Sequence, residues 1–283
     1  MNIKAKILKD SEFNGSRLTT FELTYPRFIH SEFMTHRCFS RNAASSRAIP
    51  VSKQIEAVRN NPAHPERWGK NQPGMQAFEE LGSEELSIAK SWWELASTEA
   101  SFSARELNEL GAHKQIVNRL LEPFLRITVI ATAEQRGLSN FFAQRAHKDA
   151  QPEFQVLAFK MLDALLKNEP QRLQKGEWHI PMSEDLEGLE TAEKLKIATG
   201  RIARVSYESH NGVRDHSKDI ELHDRLIASG HWSPTEHCAE AGWSEHGNFG
   251  NRWTQYRWSF NNEFRSEEDF NAIMTNKPDW IEL

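Results

Sequence analysis

Residues 19–47, TTFELTYPRFIHSEFMTHRCFSRNAASSR, predict three different structures in succession. Residues 19–25 are rich in β-forming side chains, and the proline that follows ends the predicted strand. Residues 28–37 place Phe28, Ile29, Phe33 and Met34 at helical spacing, which predicts a short helix. The small polar residues of the next segment, CFSRNAASSRAIP, predict a loop.

The remaining chain alternates helical patterns with a few β-like runs. Alternation over residues 4–8 predicts an opening strand, residues 126–131 (RITVIA) another, and residues 233–237 (SPTEH) the start of a third. Helical patterns cover residues 75–110, 115–121, 138–146, 152–166, 191–205 and 219–229. In the first of these, we expect Leu86, Ala89, Trp92, Trp93 and Leu95 to form one apolar face. We predict an α+β fold with a mixed sheet, formed by the opening strands and those near Val129 and Cys238, and with helices packed against it.

Composition excludes several classes of protein. The 283 residues are 38% hydrophobic and 27% charged, typical of a globular chain with a core. No apolar run reaches 18 residues, and residues 1–13 contain no stretch typical of a signal peptide, so we expect a cytoplasmic protein and no membrane partner. A net charge of −5 argues against a nucleic-acid partner. Two cysteines exclude a disulfide framework, and the spacing of His231 and His237 does not favour a metal site.

Two segments carry side chains suited to an anionic ligand. In residues 35–47, hydroxyl groups and Arg47 on a loop of small residues are suited to bind a phosphate, because the backbone can approach closely and a guanidinium binds two oxygens. In residues 134–153, Arg136, Asn140 and Arg145 fall on or beside a predicted helix. Either pattern alone also occurs on ordinary solvated surfaces.

Together with a third segment, they resemble the flavin-dependent thymidylate synthases, the ThyX family. The family signature is Arg-His-Arg, seven residues, then Ser, and here residues 35–37 (THR) are followed by seven residues and Ser45. The family's nucleotide-binding arginines resemble Arg119 and the segment SNFFAQRAHKDAQPEFQ. Residues 203–207 (ARVSY) and 230–237 (GHWSPTEH) resemble the family's usual beginning.

The order of these segments differs from that in the family. There the Ser/Thr-Pro-x-Glu-His segment precedes the signature, whereas here it follows some 200 positions later. We therefore predict a circularly permuted single domain over residues 1–283. Residues 1–182 would contain the signature and nucleotide-binding part, and residues 183–283 would correspond to the family's N-terminal part plus a tail.

The resemblance implies a reaction and a set of roles. It implies transfer of a methyl group from methylenetetrahydrofolate to C5 of a pyrimidine deoxynucleotide, with FAD as cofactor, NADPH as reductant and a homotetramer as the assembly, in dTMP biosynthesis. Arg145 would activate the base. The implied flavin-binding residues are Thr35, His36, Arg37, Glu134, Gln135, Arg136, Asn140, His231 and Ser233. The implied nucleotide-binding residues are Glu32, Ala44, Ser45, Ser46, Arg47, Arg119 and Arg145.

Three departures from the family pattern bear on the substrate. Thr35 replaces the first Arg of the signature, Ala43 replaces an acidic residue, and Glu32 stands where Gln is usual. A charged hydrogen bond is worth roughly 1.5–3 kcal/mol, so such changes can redirect substrate choice. A carboxylate accepts from the amino group of cytosine where uracil offers a carbonyl, so dCMP competes with dUMP as the predicted substrate.

Other hypotheses about function are also compatible with the sequence. The chain could be a flavin- and nucleotide-binding protein without catalysis, a possibility that Thr35 and Ala43 motivate. It could act on another pyrimidine nucleotide or form a 5-hydroxymethyl product. The Trp- and Arg-containing residues 251–265 could stack nucleobases, although a packed strand and loop is the preferred interpretation. Cys38 is interpreted as a small packed residue and not as a nucleophile.

Overall fold

The computed structural model describes residues 3–205, 215–245, 247–260, 267–278 and 280–281. Ser206, Tyr207 and residues 261–265, which the sequence analysis singled out, lie outside these described residues. The strands are β1 (Lys4–Phe13), β2 (Ser16–Pro26), β3 (Ser40–Ala43), β4 (Arg126–Glu134), β5 (Gln171–Arg172), β6 (Trp178–His179), β7 (Ala239–Ala241) and β8 (Trp253–Gln255). The α-helices are α1 (His30–Phe33), α2 (Val51–Asn60), α3 (Ser83–Glu109), α4 (Lys114–Val117), α5 (Gln135–Arg145), α6 (Pro152–Leu166), α7 (Thr191–Val205), α8 (His216–Ala228) and α9 (Glu267–Thr275). Short 3₁₀ helices span Arg27–Ile29, Asn118–Leu120, Glu122–Phe124, Ser233–His237 and Tyr256–Ser259.

A five-stranded sheet in the order β3-β4-β2-β1-β5 forms the centre of the fold. A tight turn at Asn14 and Gly15, both with positive φ, joins β1 to β2 as a hairpin. β2 pairs antiparallel with β4, and β3 pairs antiparallel with the other edge of β4. β5 runs parallel to β1, so the sheet is mixed. The predicted α+β class with a mixed sheet is confirmed.

The main core lies between this sheet and helices α1, α5 and α6. Phe21 and Val129 point from β2 and β4 toward Phe33, Phe141 and Phe154 of the helices, and all five side chains are fully buried. Alternation of large apolar residues along β2 and β4 therefore gives the sheet a face that the helices cover. This packing fixes the positions of α1 and the C-terminal end of α5 relative to each other.

Several predictions about segments are wrong. The segment 38–50 contains β3, because pairing with β4 and burial of Ser40 and Asn42 outweigh its low β-propensity. Helix α2 was not predicted. The strand near Cys238 is β7, which belongs to a separate three-stranded sheet with β6 and β8. Residues 233–237 form a 3₁₀ helix and not the start of a strand.

The long helix differs from expectation at its start and on its apolar face. α3 begins at Ser83, and residues 75–82, expected to be helical, precede it as an extended loop. Trp92 and Leu95 are largely exposed, whereas Trp93 packs inward against Phe124 with ring centroids 5.6 Å apart. The buried face of α3 consists mainly of small residues, which apolar spacing does not reveal. By contrast, α6 and α7 have the predicted bounds.

Residues after position 178 pack against the β3 edge and the sheet. Ser233 Oγ donates to Asn42 Oδ1 at 3.1 Å, and Gln255 Nε2 donates to Ser40 Oγ at 3.0 Å. Trp253 is fully buried beneath the β1–β2 hairpin. The SPTEH segment thus lies beside the β3 segment of the signature although 191 positions separate Ser233 from Asn42. The circular permutation and the division at residue 182 stay predictions.

A buried chain of polar side chains crosses the middle of the molecule. Ser11, His179, Thr20, Thr132 and His237 are linked by hydrogen bonds of 2.9, 2.8, 2.7 and 2.8 Å in that order. Burial lowers the pKa of His237 to about 3. Burial, Lys9 and His237 lower the pKa of His179 well below its ordinary value of 6.5. Both imidazoles are therefore neutral in the folded protein.

These two histidines predict a loss of stability in mild acid. Below about pH 6.5 His179 and His237 bind protons in the unfolded chain but not in the folded chain. The free energy of unfolding should therefore fall as pH decreases. Each histidine should contribute about 1.4 kcal/mol per pH unit between roughly pH 6 and 5. Urea unfolding measured across that interval tests this. His237→Asn, whose amide can still bond Thr132, should reduce the slope by one proton; an unchanged slope contradicts the assignment.

Candidate functional site

Arg145, the last residue of α5, is held by three neighbours from different parts of the chain. Its Nε donates to His36 Nε2 at 2.8 Å, and its Nη1 donates to Glu32 Oε1. Its guanidinium carbon lies 4.7 Å from the centroid of the Phe154 ring. These contacts fix the plane of the guanidinium, while its side chain remains 16% exposed. The structure thus brings together three of the residues that the sequence analysis assigned to the site.

His36 is a neutral hydrogen-bond acceptor for Arg145. Burial, together with the cations Arg145 and Arg41 and against the opposing effect of Glu32, lowers the pKa of His36 to about 4. Because Nε2 accepts from Arg145, the imidazole proton is on Nδ1 in the neutral ring. His36 therefore orients Arg145 by accepting its hydrogen bond, and because the imidazole is neutral it does not repel the guanidinium.

A cleft of about 540 Å³ opens in front of this cluster. Its lining includes Glu32 and Arg145, the start of α6, and several of residues 65–78. The volume falls within the range of small-molecule sites in proteins. An acceptor and a donor side by side in the lining of such a cleft are suited to contact the hydrogen-bonding edge of a nucleobase.

The predicted phosphate-binding residues lie close together, on the loop after β3 and at Arg119. Ser45 is half-buried and Arg47 is exposed on the loop after β3. Ser46 is buried, and its hydroxyl donates to Glu122 Oε1 at 2.6 Å, which also lies 3.5 Å from Arg119 Nη1. Ala44 contributes a carbonyl that accepts from Arg27 at 3.4 Å. Arg47 and Arg119 thus present guanidinium groups beside this loop, whereas the Ser46 hydroxyl is already bonded.

Most of the predicted flavin-binding residues are exposed, and five of them form two groups, whereas His36 is buried against Arg145. Thr35 and Arg37 follow α1, while Gln135, Arg136 and Asn140 lie on the exposed face of α5. The two groups are close, because a Cβ at Gly137 would lie 2.8 Å from Cys38 Cβ. Ser233 is exposed beside Asn42, and exposed His231 bonds Ser229. Glu134 instead caps α5 through the Arg136 N–H and accepts from Ser16.

The donor set of this surface fits an anionic dinucleotide. Arg37 and Arg136 have no ion-pair partner among the described residues, and each guanidinium can bind a diphosphate. Asn140 and Ser233 add neutral hydrogen-bonding groups that are open to solvent. The residues present therefore fit a flavin dinucleotide, with Arg37 and Arg136 as the ones that would hold its diphosphate.

Two contributors to the site were missed by the sequence analysis. Arg41 Nη1 donates to the carbonyls of Phe33, Met34 and His36, and so fixes the end of α1. Phe154 lies under the Arg145 guanidinium. Arg41 stands inside the quoted signature as the only charged residue of β3, a signal that could have been used. The position of Phe154 depends on how α6 packs and has no local signal.

None of the helices in the described ranges combines the length and apolar character that a membrane crossing needs. Within the same ranges, no cluster of three or more His, Cys, Asp or Glu side chains is arranged to hold a metal ion.

Comparison with known proteins places the chain in a family. The family model described as thymidylate synthase complementing protein matches residues 17–171, more than half of the chain. No curated protein matches it. Among solved structures, the UMP/dUMP methylase PolB from Streptomyces cacaoi bound with 5-Br dUMP is similar at 20% identity, covering 53% of this chain and 67% of that chain with a TM-score of 0.46. The same protein bound with 5-Br UMP gives 17% identity, 59% and 89% coverage, and a TM-score of 0.49.

Proposed function

Since the chain belongs to the thymidylate synthase complementing protein family, we propose that it is an enzyme that methylates C5 of a pyrimidine deoxynucleotide. In this proposal FAD is the cofactor, NADPH the reductant and methylenetetrahydrofolate the carbon donor, and a homotetramer is the working assembly. The observation that carries the proposal is the Arg145 cluster at the cleft, with Glu32, His36 and Phe154 around Arg145.

The chemistry requires a base that is nucleophilic at C5. A guanidinium directed at the ring oxygen and N3 stabilises the negative charge that develops there. His36 and Phe154 hold Arg145 in one orientation, so little reorganisation is needed when the charge forms. The nucleotide phosphate would bind at Ser45, Arg47 and Arg119.

Thr35, Arg37, Arg136, Asn140 and Ser233 would hold the flavin. The reduced flavin, when bound, supplies the hydride that converts the transferred carbon to a methyl group. The carbon comes from the folate, so no cysteine nucleophile is required. Cys38 is exposed, and a Cβ at Gly137 would lie 2.8 Å from its own Cβ.

A test separates this enzyme from a binding protein without catalysis. Purified protein incubated with FAD should retain a yellow chromophore through gel filtration, and NADPH should bleach it. Addition of nucleotide and methylenetetrahydrofolate should then restore the oxidised flavin spectrum with formation of a methylated nucleotide. Flavin binding without nucleotide turnover would favour the degenerate member of the family instead.

Glu32 predicts which base is used. Glu32 bonds Arg145 Nη1, so with Arg145 directed at the ring oxygen and N3 its carboxylate would face position 4 of the base. There it accepts from the amino group of cytosine and repels the carbonyl of uracil. We expect kcat/KM for dCMP to exceed that for dUMP in the wild type, and Glu32→Gln to reverse the order, with a change of roughly tenfold or more for each base. Steady-state kinetics with both nucleotides measures this.

The outcome is interpretable because glutamine fits the same space as Glu32. The amide oxygen introduced by Glu32→Gln can still accept from Arg145, so loss of folding is not expected from this change. Equal preference in both proteins, or a dUMP preference in the wild type, would remove the assignment of Glu32 and leave the proposed methylation intact.

A further inference from the structure

A further pocket lies where three segments come together: the β1–β2 turn, the turn at residues 174–177 and the loop that joins β7 to β8. It has a volume of about 250 Å³. Its lining consists of Phe13, Asn14, Lys175, Gly242, Trp243, Asn251 and Arg252. None of these residues borders the cleft at Arg145, and none is among those assigned above to the nucleotide or the flavin. The proposed methylation therefore gives this pocket no role.

Backbone hydrogen bonds fix the loop between β7 and β8 beside the pocket. The Gly242 N–H donates to the Arg252 carbonyl at 3.1 Å. The Ser244 N–H donates to the Asn251 carbonyl, also at 3.1 Å. The antiparallel pairing of β7 with β8 thus continues past the two strands, and it holds Trp243 and Arg252 on a defined backbone.

The other two segments are attached to this hairpin. The Gly176 N–H donates to the Ala241 carbonyl at 2.8 Å, which connects the turn that carries Lys175 to β7. Phe13 packs edge-to-face against Trp253 of β8 with ring centroids 6.3 Å apart, which connects the β1–β2 turn to β8. Contacts within the fold therefore set the shape of the pocket before any ligand binds.

Trp243 presents a largely free aromatic ring at this pocket. It is 70% exposed, although it lines the pocket and its carbonyl accepts from Thr254 Oγ1 at 3.3 Å. Trp253, by contrast, is fully buried, and its indole N–H donates to Ser16 Oγ at 3.0 Å, so its ring is closed to a ligand. An exposed indole is a favourable contact for a flat heterocycle, and stacking on such a ring tolerates any nucleobase.

The polar side chains of the lining are suited to the other parts of a nucleotide. Within the part of the chain that the structure describes, no side-chain hydrogen bond or ion pair involves the exposed residues Asn14, Lys175, Asn251 and Arg252. Each asparagine amide offers a donor and an acceptor, as pairing with the edge of a nucleobase requires. The lysine and the arginine are cations that bind phosphate oxygens, and the guanidinium can bind two at once.

Carboxylates on the adjoining turns are bonded to backbone N–H groups and do not line the pocket. Glu12 Oε1 accepts the Gly15 N–H at 2.5 Å, and Glu177 Oε2 accepts the Gln174 N–H at 2.7 Å. Although the whole chain has a net charge of −5, the lining of the pocket contains two cations and no carboxylate. The pocket therefore favours an anionic ligand.

We propose that this pocket is a second nucleotide-binding site, separate from the proposed methylation site. The base lies against the Trp243 ring, and its edge bonds the amides of Asn14 and Asn251. A volume of about 250 Å³ is below the usual range for sites that enclose a whole ligand, so the phosphates lie at the rim. There they contact Lys175 and Arg252.

The ligand is a single nucleotide and not a nucleic-acid strand. Proteins that bind single strands combine a continuous basic groove with a series of aromatic rings on which successive bases stack. The lining of this pocket has one largely exposed ring and two cations. The net charge of the chain also argues against a long polyanionic partner.

The test is a calorimetric titration of the FAD-loaded protein by ATP, GTP, CTP and UTP in turn. We expect saturable binding of at least one triphosphate to the wild type. Trp243→Ala should weaken this binding at least tenfold, because stacking on the indole ring is lost. Trp243→Phe, which keeps an aromatic ring, should retain most of the affinity. Arg145→Ala should leave the affinity unchanged, because the pocket shares no residue with the methylation site.

Two controls separate recognition of the nucleotide from general disturbance. Because Trp243 is largely exposed and outside the methylation site, Trp243→Ala should fold and methylate like the wild type. Trp280→Ala removes a tryptophan that is 82% exposed and outside the pocket, and it should leave nucleotide affinity unchanged. Arg252→Gln should weaken binding of the triphosphate but not of the corresponding nucleoside.

Several results would overturn the second site while leaving the proposed methylation intact. One is the absence of saturable binding of all four triphosphates to the wild type. Another is equal affinity in the wild type and Trp243→Ala, or a loss of binding in Arg145→Ala instead. Inorganic tripolyphosphate that binds as tightly as the triphosphates would reduce the pocket to an anion contact. A single-stranded oligonucleotide that binds far more tightly through Trp243 would assign the pocket to nucleic acid.

Discussion

Arg145→Ala is expected to keep FAD and lose turnover by about 10²–10³-fold or more in kcat. The side chain is held toward the cleft by Glu32 and His36, and no other cation of the described residues has these partners. Without Arg145, the base loses the hydrogen-bond donor that would stabilise the negative charge developing on it. The measurement is kcat with saturating nucleotide and folate, together with the flavin absorbance of the purified variant.

A second variant controls for loss of charge alone. Arg145→Lys keeps the positive charge but cannot bond His36 and Glu32 and still present a free N–H pair to the base. We expect an intermediate activity. Full turnover by Arg145→Ala, with flavin bound and the fold intact by circular dichroism, would contradict the role assigned to Arg145.

The largest effect on stability is expected at Arg201 of α7. Its guanidinium is 6% exposed and donates to both oxygens of Asp185 at 2.6 and 2.8 Å and to the Met182 carbonyl at 2.6 Å. It also lies 3.4 Å from Asp219, whose side chain is 3% exposed. Arg201→Ala removes the donors bonded to Asp185 and to the Met182 carbonyl and leaves Asp219 with Arg204 as its ion-pair partner, so we expect the free energy of unfolding to fall by about 3 kcal/mol.

The chain offers a matched control between the same two helices. Lys196 of α7 and Asp224 of α8 form an ion pair at 2.9 Å, but both side chains are substantially exposed. Lys196→Ala should cost about 1 kcal/mol or less. Urea unfolding of both variants compares the pairs. Similar losses in the two variants would contradict the account of the buried network.

Sequence patterns correctly predicted those helices and strands that their own residues favour, without help from tertiary contacts. α6 begins at Pro152, which suits a first helical turn, and its apolar residues repeat at helical spacing, so its bounds were predicted correctly. β3 was missed because Ser40 and Asn42 have low β-propensity and become strand residues only by pairing with β4. The start of α3 was misplaced because residues 75–82 contain helix-forming side chains that the structure uses in and beside a cleft wall.

The sequence predicted which residues belong to the candidate site, but not which of them contact each other. The motifs pointed to Glu32, His36 and Arg145, and the family model agrees with the resemblance behind them. That Glu32 and His36 both bond Arg145 depends on how α1 and the end of α5 pack over Phe33 and Phe141. Spacing along the sequence contains no information about that packing. The roles of the individual residues stay predictions that the experiments above address.

The most direct test of the account is to identify the product by mass spectrometry. Flavin-loaded protein would be incubated with NADPH, methylenetetrahydrofolate labelled with ¹³C in the transferred carbon, and either dCMP or dUMP. We predict a nucleotide that carries one labelled methyl carbon on its base, formed by the wild type and absent with Arg145→Ala. A wild type that binds flavin and nucleotide yet transfers no labelled carbon to either base would contradict the account.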